Sequence, residues 1–107
     1  MSKTPLKKLS PELFEAIAAR FRALGEVNRL KIVQCLQNGE CNVSELVAFT
    51  ALSQPNVSRH LQVLVAAGLV GKRKQGLNVL YRIVDDSLAD LCVVVCRGAS
   101  ASMMVRR

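Results

Sequence analysis

Apolar residues recur along the first half of the chain at the three- and four-residue spacing of helices. Ser10 stands before a proline and is a helix-start signal, because its hydroxyl can accept a hydrogen bond from a free amide and proline fits the first helical position. Residues 11 to 24 and residues 26 to 37 are predicted to form two helices. A short third helix starts at Asn42, whose spacing from Glu45 is typical of a capping box. The predicted core-facing positions of these helices are Phe14, Ile17, Ala18, Phe21, Leu30, Val33, Leu36, Val43, Leu46 and Val47.

The second half of the chain changes from a helical pattern to a strand pattern and back. Ser53 is the predicted N-cap of a fourth helix, which ends at Gly68. Two β-prone runs, residues 69 to 74 and 78 to 84, are joined around a glycine and predict a hairpin with a basic tip. Residues 85 to 87 cap a final helix. The predicted buried stripes of these two helices are Val57, Leu61 and Leu64, then Leu88, Leu91, Cys92 and Val95.

The predicted fold is mainly α-helical with a small β-hairpin wing, in the order α-α-α-α-β-β-α, which is a winged helix-turn-helix. A chain of 107 residues is enough for one domain. No segment contains the roughly 18 uninterrupted apolar residues that a membrane span needs, and no apolar run follows the N-terminal lysines as in a secretory signal. We therefore expect a cytoplasmic protein without a membrane partner, whose cysteines are reduced thiols.

Charge is distributed unevenly along the chain. The formal net charge is +7, and no acidic residue occurs between Glu45 and Asp85. The basic residues of this span are Arg59, Lys72, Arg73, Lys74 and Arg82. The net charge indicates an acidic partner, either nucleic acid or an anionic membrane surface. A purely basic region is typical of a surface that binds phosphates, such as those of double-stranded DNA.

The stretch SQPNVSRHLQVLVAAGLV, residues 53 to 70, is polar and basic in its first half and apolar in its second. A helix-turn-helix protein inserts the start of its second helix into the major groove, where polar side chains meet base edges. The apolar half would anchor that helix in the core. Within the polar half, Ser53 is expected to cap the helix more than to read a base. The candidate DNA-contacting residues of this helix are Ser53, Gln54, Asn56, Ser58, Arg59 and His60.

The same stretch, followed by GKRKQGLNVLYRIVDD, closely resembles the helix and wing of the ArsR/SmtB family of winged-helix repressors. LGEVNRLKIVQCLQNGE resembles that family's second helix, and the resemblance covers roughly residues 13 to 96. It implies a homodimer, built by the first and last helices, that binds an imperfect palindromic operator and is released when an inducer reaches a sensor site. By position in the wing, Lys72, Arg73, Lys74, Gln75 and Arg82 are expected to hold phosphates or reach the minor groove.

These expectations divide the chain into three parts. Residues 11 to 97 are predicted to form the winged-helix DNA-binding and dimerisation domain. Residues 1 to 10 are predicted to be a flexible basic N-terminus, and residues 98 to 107 a flexible C-terminal tail of small residues.

The four cysteines are the candidate sensor residues. The family's arsenic site needs two or three thiols at the third helix, where this chain has only Cys41, and its zinc site uses imidazoles that the last helix lacks. Cys92 and Cys96 are four residues apart, which places them on one helical face. They could share a soft metal or metalloid ion such as arsenite, with a third thiolate from elsewhere. They could instead be oxidised against Cys35, or Cys92 could simply pack in the core.

Three kinds of function are therefore candidates for this chain. The first is a homodimeric transcriptional repressor released from its operator by a thiol-reactive inducer, either a soft metal or metalloid ion or, alternatively, a redox or reactive-sulfur signal. The second is a winged-helix module that binds proteins and not DNA, against which the acid-free basic span argues. The third, an enzyme, is not expected, because thiol catalysis would need a histidine beside the thiol and His60 lies in the DNA-facing segment.

Overall fold

A computed structural model describes residues 9 to 105, and five helices and one hairpin follow each other in the predicted order. The elements are α1 (Pro11–Leu24), α2 (Val27–Gln37), α3 (Val43–Thr50), α4 (Gln54–Ala66), β1 (Val70–Gln75), β2 (Asn78–Ile83) and α5 (Ser87–Val105). The predicted winged helix-turn-helix is confirmed. The predicted N-terminal segment lies outside the described residues, apart from Leu9 and Ser10.

Three predicted helix starts have the expected side-chain caps. Ser10 accepts a hydrogen bond from the backbone N–H of Leu13 at 3.1 Å. Asn42 and Glu45 form a complete capping box, in which each side chain accepts a bond from the other residue's backbone N–H at 2.8 Å. Ser53 accepts a bond from the Asn56 N–H at 3.4 Å. These bonds satisfy amides that have no partner within the helix, which is why the helices begin at these residues.

The core lies between α2, α3, α4 and the base of the hairpin. The predicted stripe of α4 is confirmed, since Val57, Leu61 and Leu64 are almost completely enclosed. Phe14, Phe21 and Leu30 were predicted to face the core and are exposed instead. The buried hydrophobic residues are Ala23, Leu24, Ile32, Val33, Leu36, Cys41, Leu46, Val57, Leu61, Leu64, Leu69, Val70 and Leu88.

A short turn, residues 51 to 53, fixes α4 relative to α3. Ala51 adopts the left-handed conformation, with φ of 61°, and its N–H donates to the Val47 carbonyl at 2.8 Å. The buried hydroxyl of Thr50 donates to the Leu46 carbonyl at 2.8 Å and accepts from the Leu52 N–H at 3.3 Å. Hydrogen bonds at Ala51 and Leu52 therefore hold the turn against the end of α3.

The hairpin is antiparallel, with a register that runs from Val70 opposite Ile83 to Gln75 opposite Asn78. Gly76 begins the two-residue turn with φ of 63°, which is the position where a type II′ turn requires glycine. A third segment pairs with the outer side of β2. The Cys41 N–H donates to the Tyr81 carbonyl at 3.1 Å and the Tyr81 N–H donates back at 2.8 Å, which ties the wing to the segment before α3.

Helix α5 differs from its prediction, because it continues past residue 97 as far as Val105. Gly98 lies inside the helix, where a single glycine costs only about 1 kcal/mol, and the alanines after it favour helix. Leu88 is buried, whereas Val94, Val95 and the methionines near the end are exposed. The segment Ser87–Met104 is long and apolar enough to cross a membrane by length and composition, and almost none of it is buried. An exposed apolar surface of this kind is typical of one that contacts another chain or a membrane.

Asp85 fixes the start of α5. One carboxylate oxygen accepts from the Ser87 N–H at 3.0 Å and from its hydroxyl at 2.6 Å, and the other accepts from Arg20 Nε at 3.1 Å. The hydrogen bonds from Ser87, followed by that from Arg20, lower the pKa of Asp85 below its usual value of 3.8. Its ionised form therefore joins α1 to α5.

Asp85→Asn should lower the free energy of unfolding at pH 7 by about 1 kcal/mol, because Arg20 remains partly exposed and the ion pair is screened by solvent. The lowered pKa means that this stabilisation is present above pH 3.8 and is lost as pH falls through the folded-state value. The difference between wild type and variant in chemical denaturation should shrink accordingly. Asp86→Asn is the matched control, and an equal loss in both variants would contradict the role given to Asp85.

Candidate nucleic-acid interface

The first turns of α4 present a polar surface to solvent while the helix is held from below by its buried stripe. Gln54 and Arg59 are exposed, and Asn56 and Ser58 are partly exposed. Arg59 donates to the Asn56 side-chain oxygen at 2.6 Å, so the two side chains lie against each other. We call Gln54, Asn56, Ser58 and Arg59 the recognition surface. These side chains have the donors and acceptors that pair with base edges in a major groove.

His60 was expected to face DNA, and the structure places it differently. Its side chain is only 12% exposed and points toward the start of α2. Nδ1 lies 3.4 Å from a guanidinium nitrogen of Arg29, and Nε2 lies 4.0 Å from a carboxylate oxygen of Glu26. Arg29 also donates to the Ala23 carbonyl at the end of α1. His60 therefore links α4 to the α1–α2 corner and does not belong to the recognition surface.

The wing carries its basic residues on both sides of the hairpin. Lys72 and Lys74 alternate with Arg73 and Gln75 along β1, and all four are exposed. Lys72 lies opposite Tyr81 and shares its side of the ribbon, whereas Arg82 lies opposite Gly71 on the other side. The two lysines thus lie on one face of the hairpin. We call Lys72 and Lys74 the wing lysines.

Arg73 on the other side of the wing is already paired. Its Nε and one terminal nitrogen donate to the two carboxylate oxygens of Glu40 at 2.8 and 2.7 Å. The hydrogen bond from Arg73 holds the pKa of Glu40 below its usual value, so the carboxylate is ionised at neutral pH. No acidic residue occurs within the basic span of the sequence, but in the folded protein the carboxylate of Glu40 lies against it. Arg73 was predicted to contact DNA, and this pairing reduces its availability to phosphates.

The sensor candidates fall into two separate places. Cys92 and Cys96 lie on one side of α5, as their spacing predicted, with Cys92 half-buried and Cys96 exposed. Burial, followed by the neighbouring charge of Cys96, raises the pKa of Cys92. Cys35 and Cys41 come together elsewhere, with their sulfurs 3.5 Å apart. Among residues 9 to 105, no three His, Cys, Asp or Glu side chains form a group that could hold a metal ion.

An apolar groove of about 700 Å³ runs between the end of α1, α2 and α5. Its walls include Phe21 and Leu30, the exposed residues that had been predicted to face the core. Cys92, Val95 and Cys96 line it from the side of α5. Through this groove, the exposed apolar residues of α1, α2 and α5 form one continuous surface. We call this surface, including its residues from α2, the α1/α5 face.

Residues 26–72, which include α2, α3, α4 and the start of β1, match the family described as bacterial regulatory protein, arsR family. The chain is 39% identical over 80 residues to a probable mercury resistance operon repressor of Streptomyces lividans, covering 75% of this chain and 64% of that repressor. It therefore spans a little less than two thirds of that relative's length.

Two further relatives are covered more fully. The HTH-type transcriptional regulator CmtR of Mycobacterium bovis is 38% identical over 82 residues, which are 76% of this chain and 70% of that regulator. The solution structure of a homodimeric winged helix-turn-helix DNA-binding domain from Mycobacterium bovis has a TM-score of 0.80 and 28% identity. This similarity covers 95% of this chain and 92% of that domain.

Proposed function

Because this chain belongs to the arsR family of bacterial regulatory proteins, whose members are transcriptional regulators and not enzymes, we propose that it is a homodimeric cytoplasmic repressor of transcription. Each protomer places its recognition surface in the major groove of one half of a palindromic operator. The wing lysines contact the flanking phosphates. Binding at the operator blocks transcription until an inducer releases the protein.

The observation that carries the DNA-binding part of this proposal is the position of the recognition surface. Its polar side chains project from the first turns of α4, directly after a turn that is hydrogen-bonded to the end of α3. The apolar end of the same helix is enclosed by the core through Leu61 and Leu64. A helix held in this way can offer its start to base edges without changing its own packing.

The homodimer is supported by the α1/α5 face. Helix α5 is anchored mainly through Leu88, while Val93, Val95 and Met103 are left exposed. An apolar patch of this extent on a single protomer is typical of a surface that associates with another chain. The related domain from Mycobacterium bovis is homodimeric. A second copy of this chain, packed through α1 and α5, would cover the face and place two recognition surfaces on one duplex.

Release from the operator is proposed to depend on thiols. Cys92 and Cys96 line the groove of the α1/α5 face, so a soft metal or metalloid ion bound there would act at the dimer contact. A relative is named as a probable repressor of a mercury resistance operon, which is consistent with a thiophilic inducer. Oxidation or persulfidation of the same thiols is the alternative. Replacing both residues with serine should preserve operator binding and change the response to such inducers.

Salt dependence should distinguish Lys72, which is available to phosphates, from Arg73, which is paired with Glu40. Operator affinity should fall steeply with salt, and Lys72→Ala should reduce the slope of log affinity against log salt by about 1 per protomer on every sequence, because one phosphate contact is lost. Arg73→Ala is the matched control and should change the slope less, since Glu40 already holds that guanidinium. Fluorescence anisotropy across a salt series measures both slopes, and binding independent of salt would contradict the proposed contacts.

A further inference from the structure

Cys35 and Cys41 meet beneath the wing, although one belongs to α2 and the other to the segment before α3. Their sulfurs are 3.5 Å apart. Cys41 is only 8% exposed, whereas Cys35 is partly exposed and gives the pair a route to solvent. Two adjacent thiols with one open side can receive a small ligand that prefers sulfur.

The surroundings of the pair restrict the kind of ligand. Among the described residues no third side chain joins the two sulfurs to make a three-ligand group. Zinc normally takes four protein ligands in a structural site, and trivalent arsenic favours three thiolates. Two thiols alone therefore provide too few ligands for either ion. Ions such as Hg(II) form stable complexes with two thiolates. A divalent ion with two thiolates is also electrically neutral, which suits a site that is largely shielded from water.

We propose that Cys35 and Cys41 form a two-thiolate site for one thiophilic divalent ion of the Hg(II) type, and that filling this site weakens DNA binding through the wing. The inference rests on the proposed DNA-binding function for its effect, but not for the site itself. Two S–H bonds are broken, two metal–sulfur bonds form and two protons leave to solvent, without any change of oxidation state. Burial and the neighbouring Cys35 raise the pKa of Cys41 to about 11, so the empty pair carries no standing charge at Cys41 near neutral pH.

Binding must move the sulfurs. A metal–sulfur bond is about 2.3 Å even for the smaller zinc ion, so two sulfurs on opposite sides of an ion lie at least ~4.6 Å apart. The present separation is 3.5 Å. Cys35 is fixed in α2, whose neighbouring residues Ile32 and Leu36 are core residues. Cys41 lies outside a helix and follows Gly39, with φ of 138°, so its segment, together with the β2 strand bonded to it, takes up the movement.

Movement at Cys41 reaches the wing by two direct connections. The backbone of Cys41 is hydrogen-bonded in both directions to Tyr81 on β2. The carboxylate of the preceding residue, Glu40, accepts hydrogen bonds from two nitrogens of the Arg73 guanidinium on β1. A shift of this segment therefore displaces or loosens the hairpin, and with it the wing lysines. The site would act on DNA affinity without touching the α1/α5 face.

The test uses a protein in which Cys92 and Cys96 are replaced by serine, which leaves Cys35 and Cys41 as the remaining thiols of the chain. HgCl2 is titrated into this protein in a modest excess of glutathione, which competes for ions held by a single thiol. Ultraviolet absorbance follows the mercury–sulfur bonds, a thiol assay counts free cysteines, and anisotropy measures operator affinity. We expect saturation at one ion per protomer, loss of both free thiols and an operator affinity at least about tenfold lower.

Cys35→Ser in the same background is the matched variant, because Cys35 is only partly buried and its replacement is less disruptive than that of Cys41. It should lose mercury under competition and keep its operator affinity. Retention of the ion by this variant would overturn the site, as would one ion per two protomers, which indicates a bridge between chains. Tight binding without a change in operator affinity would overturn the coupling to the wing. Failure of the background protein to bind operator without mercury would instead contradict the proposed function.

Discussion

Replacing Val95 with aspartate is expected to convert the protein from a dimer into a monomer and to weaken operator binding by about 10²-fold or more. Val95 lines the groove of the α1/α5 face and is 59% exposed in the single chain. In a dimer packed through this face, the new carboxylate would be buried without a partner, which costs several kcal/mol. Once the dimer separates, each recognition surface must find its half-site independently, so the gain from simultaneous binding is lost.

Ala101→Asp is the matched control, because helical periodicity places residue 101 on the side of α5 away from the groove. It should remain dimeric and bind operator normally. Analytical ultracentrifugation gives the oligomeric state and circular dichroism confirms that each variant is folded. Dimers of Val95→Asp with unchanged operator affinity would exclude the α1/α5 face as the dimer contact. Wild-type monomers that sediment with lipid vesicles would assign this apolar face to a membrane.

Arg59→Ala is the second change with a large expected effect, and it should act mainly on operator DNA. A base-reading side chain contributes about 1–3 kcal/mol, and a symmetric dimer loses it twice, so the operator complex should weaken by about 2–6 kcal/mol. Random duplex DNA should lose much less, because its binding depends on charge and not on base edges. The ratio of the two dissociation constants is the measurement.

The control for Arg59 should remove the same charge from another place. Arg22→Ala removes an exposed arginine on α1, outside the recognition surface and the wing, and should leave the ratio unchanged. Equal losses on operator and random DNA in Arg59→Ala would reduce this residue to a phosphate contact. The bond from Arg59 to Asn56 also predicts that Asn56→Ala affects the same base positions, because each side chain orients the other.

Local signals in the sequence were sufficient for the order of the elements. The caps at Ser10, Asn42 and Ser53 depend on residues three positions away, so they can be recognised without tertiary contacts. The stripe of α4 and the glycine turn of the hairpin are local in the same sense. For this reason, the positions of α4 and of the hairpin follow from the sequence without any long-range contact.

Features that depend on distant residues were not predictable in this way. Arg73 and Glu40 are 33 positions apart, and a basic run along the sequence gives no sign that a carboxylate approaches it in space. His60 has a polar neighbourhood along the chain, yet it turns toward Arg29, which is 31 positions away. The apolar positions Phe14, Phe21 and Val95 of α1 and α5 were predicted to be buried, whereas the structure leaves them exposed. A single sequence does not distinguish a core position from an apolar surface position.

The contact between Cys35 and Cys41 was also not predicted, although these residues are only six positions apart. The sequence favoured Cys92 and Cys96, because spacing within one helix predicts proximity. The chain turns at the end of α2, where the Asn38 and Gly39 N–H groups donate to the Cys35 and Leu36 carbonyls, and the next segment then places the Cys41 sulfur 3.5 Å from that of Cys35. Helical spacing therefore predicts the pair Cys92 and Cys96, whereas the pair Cys35 and Cys41 is seen only in the folded structure.

The most direct test of the dimeric DNA-binding repressor is selection of DNA by the wild-type protein from a library of random duplexes. We predict enrichment of an imperfect inverted repeat, whose half-sites lie about 10 base pairs or a multiple of this apart and which binds two protomers together. Mass photometry or sedimentation of the complex gives the stoichiometry. Failure to enrich any inverted repeat, or binding of single protomers without sequence preference, would contradict the account.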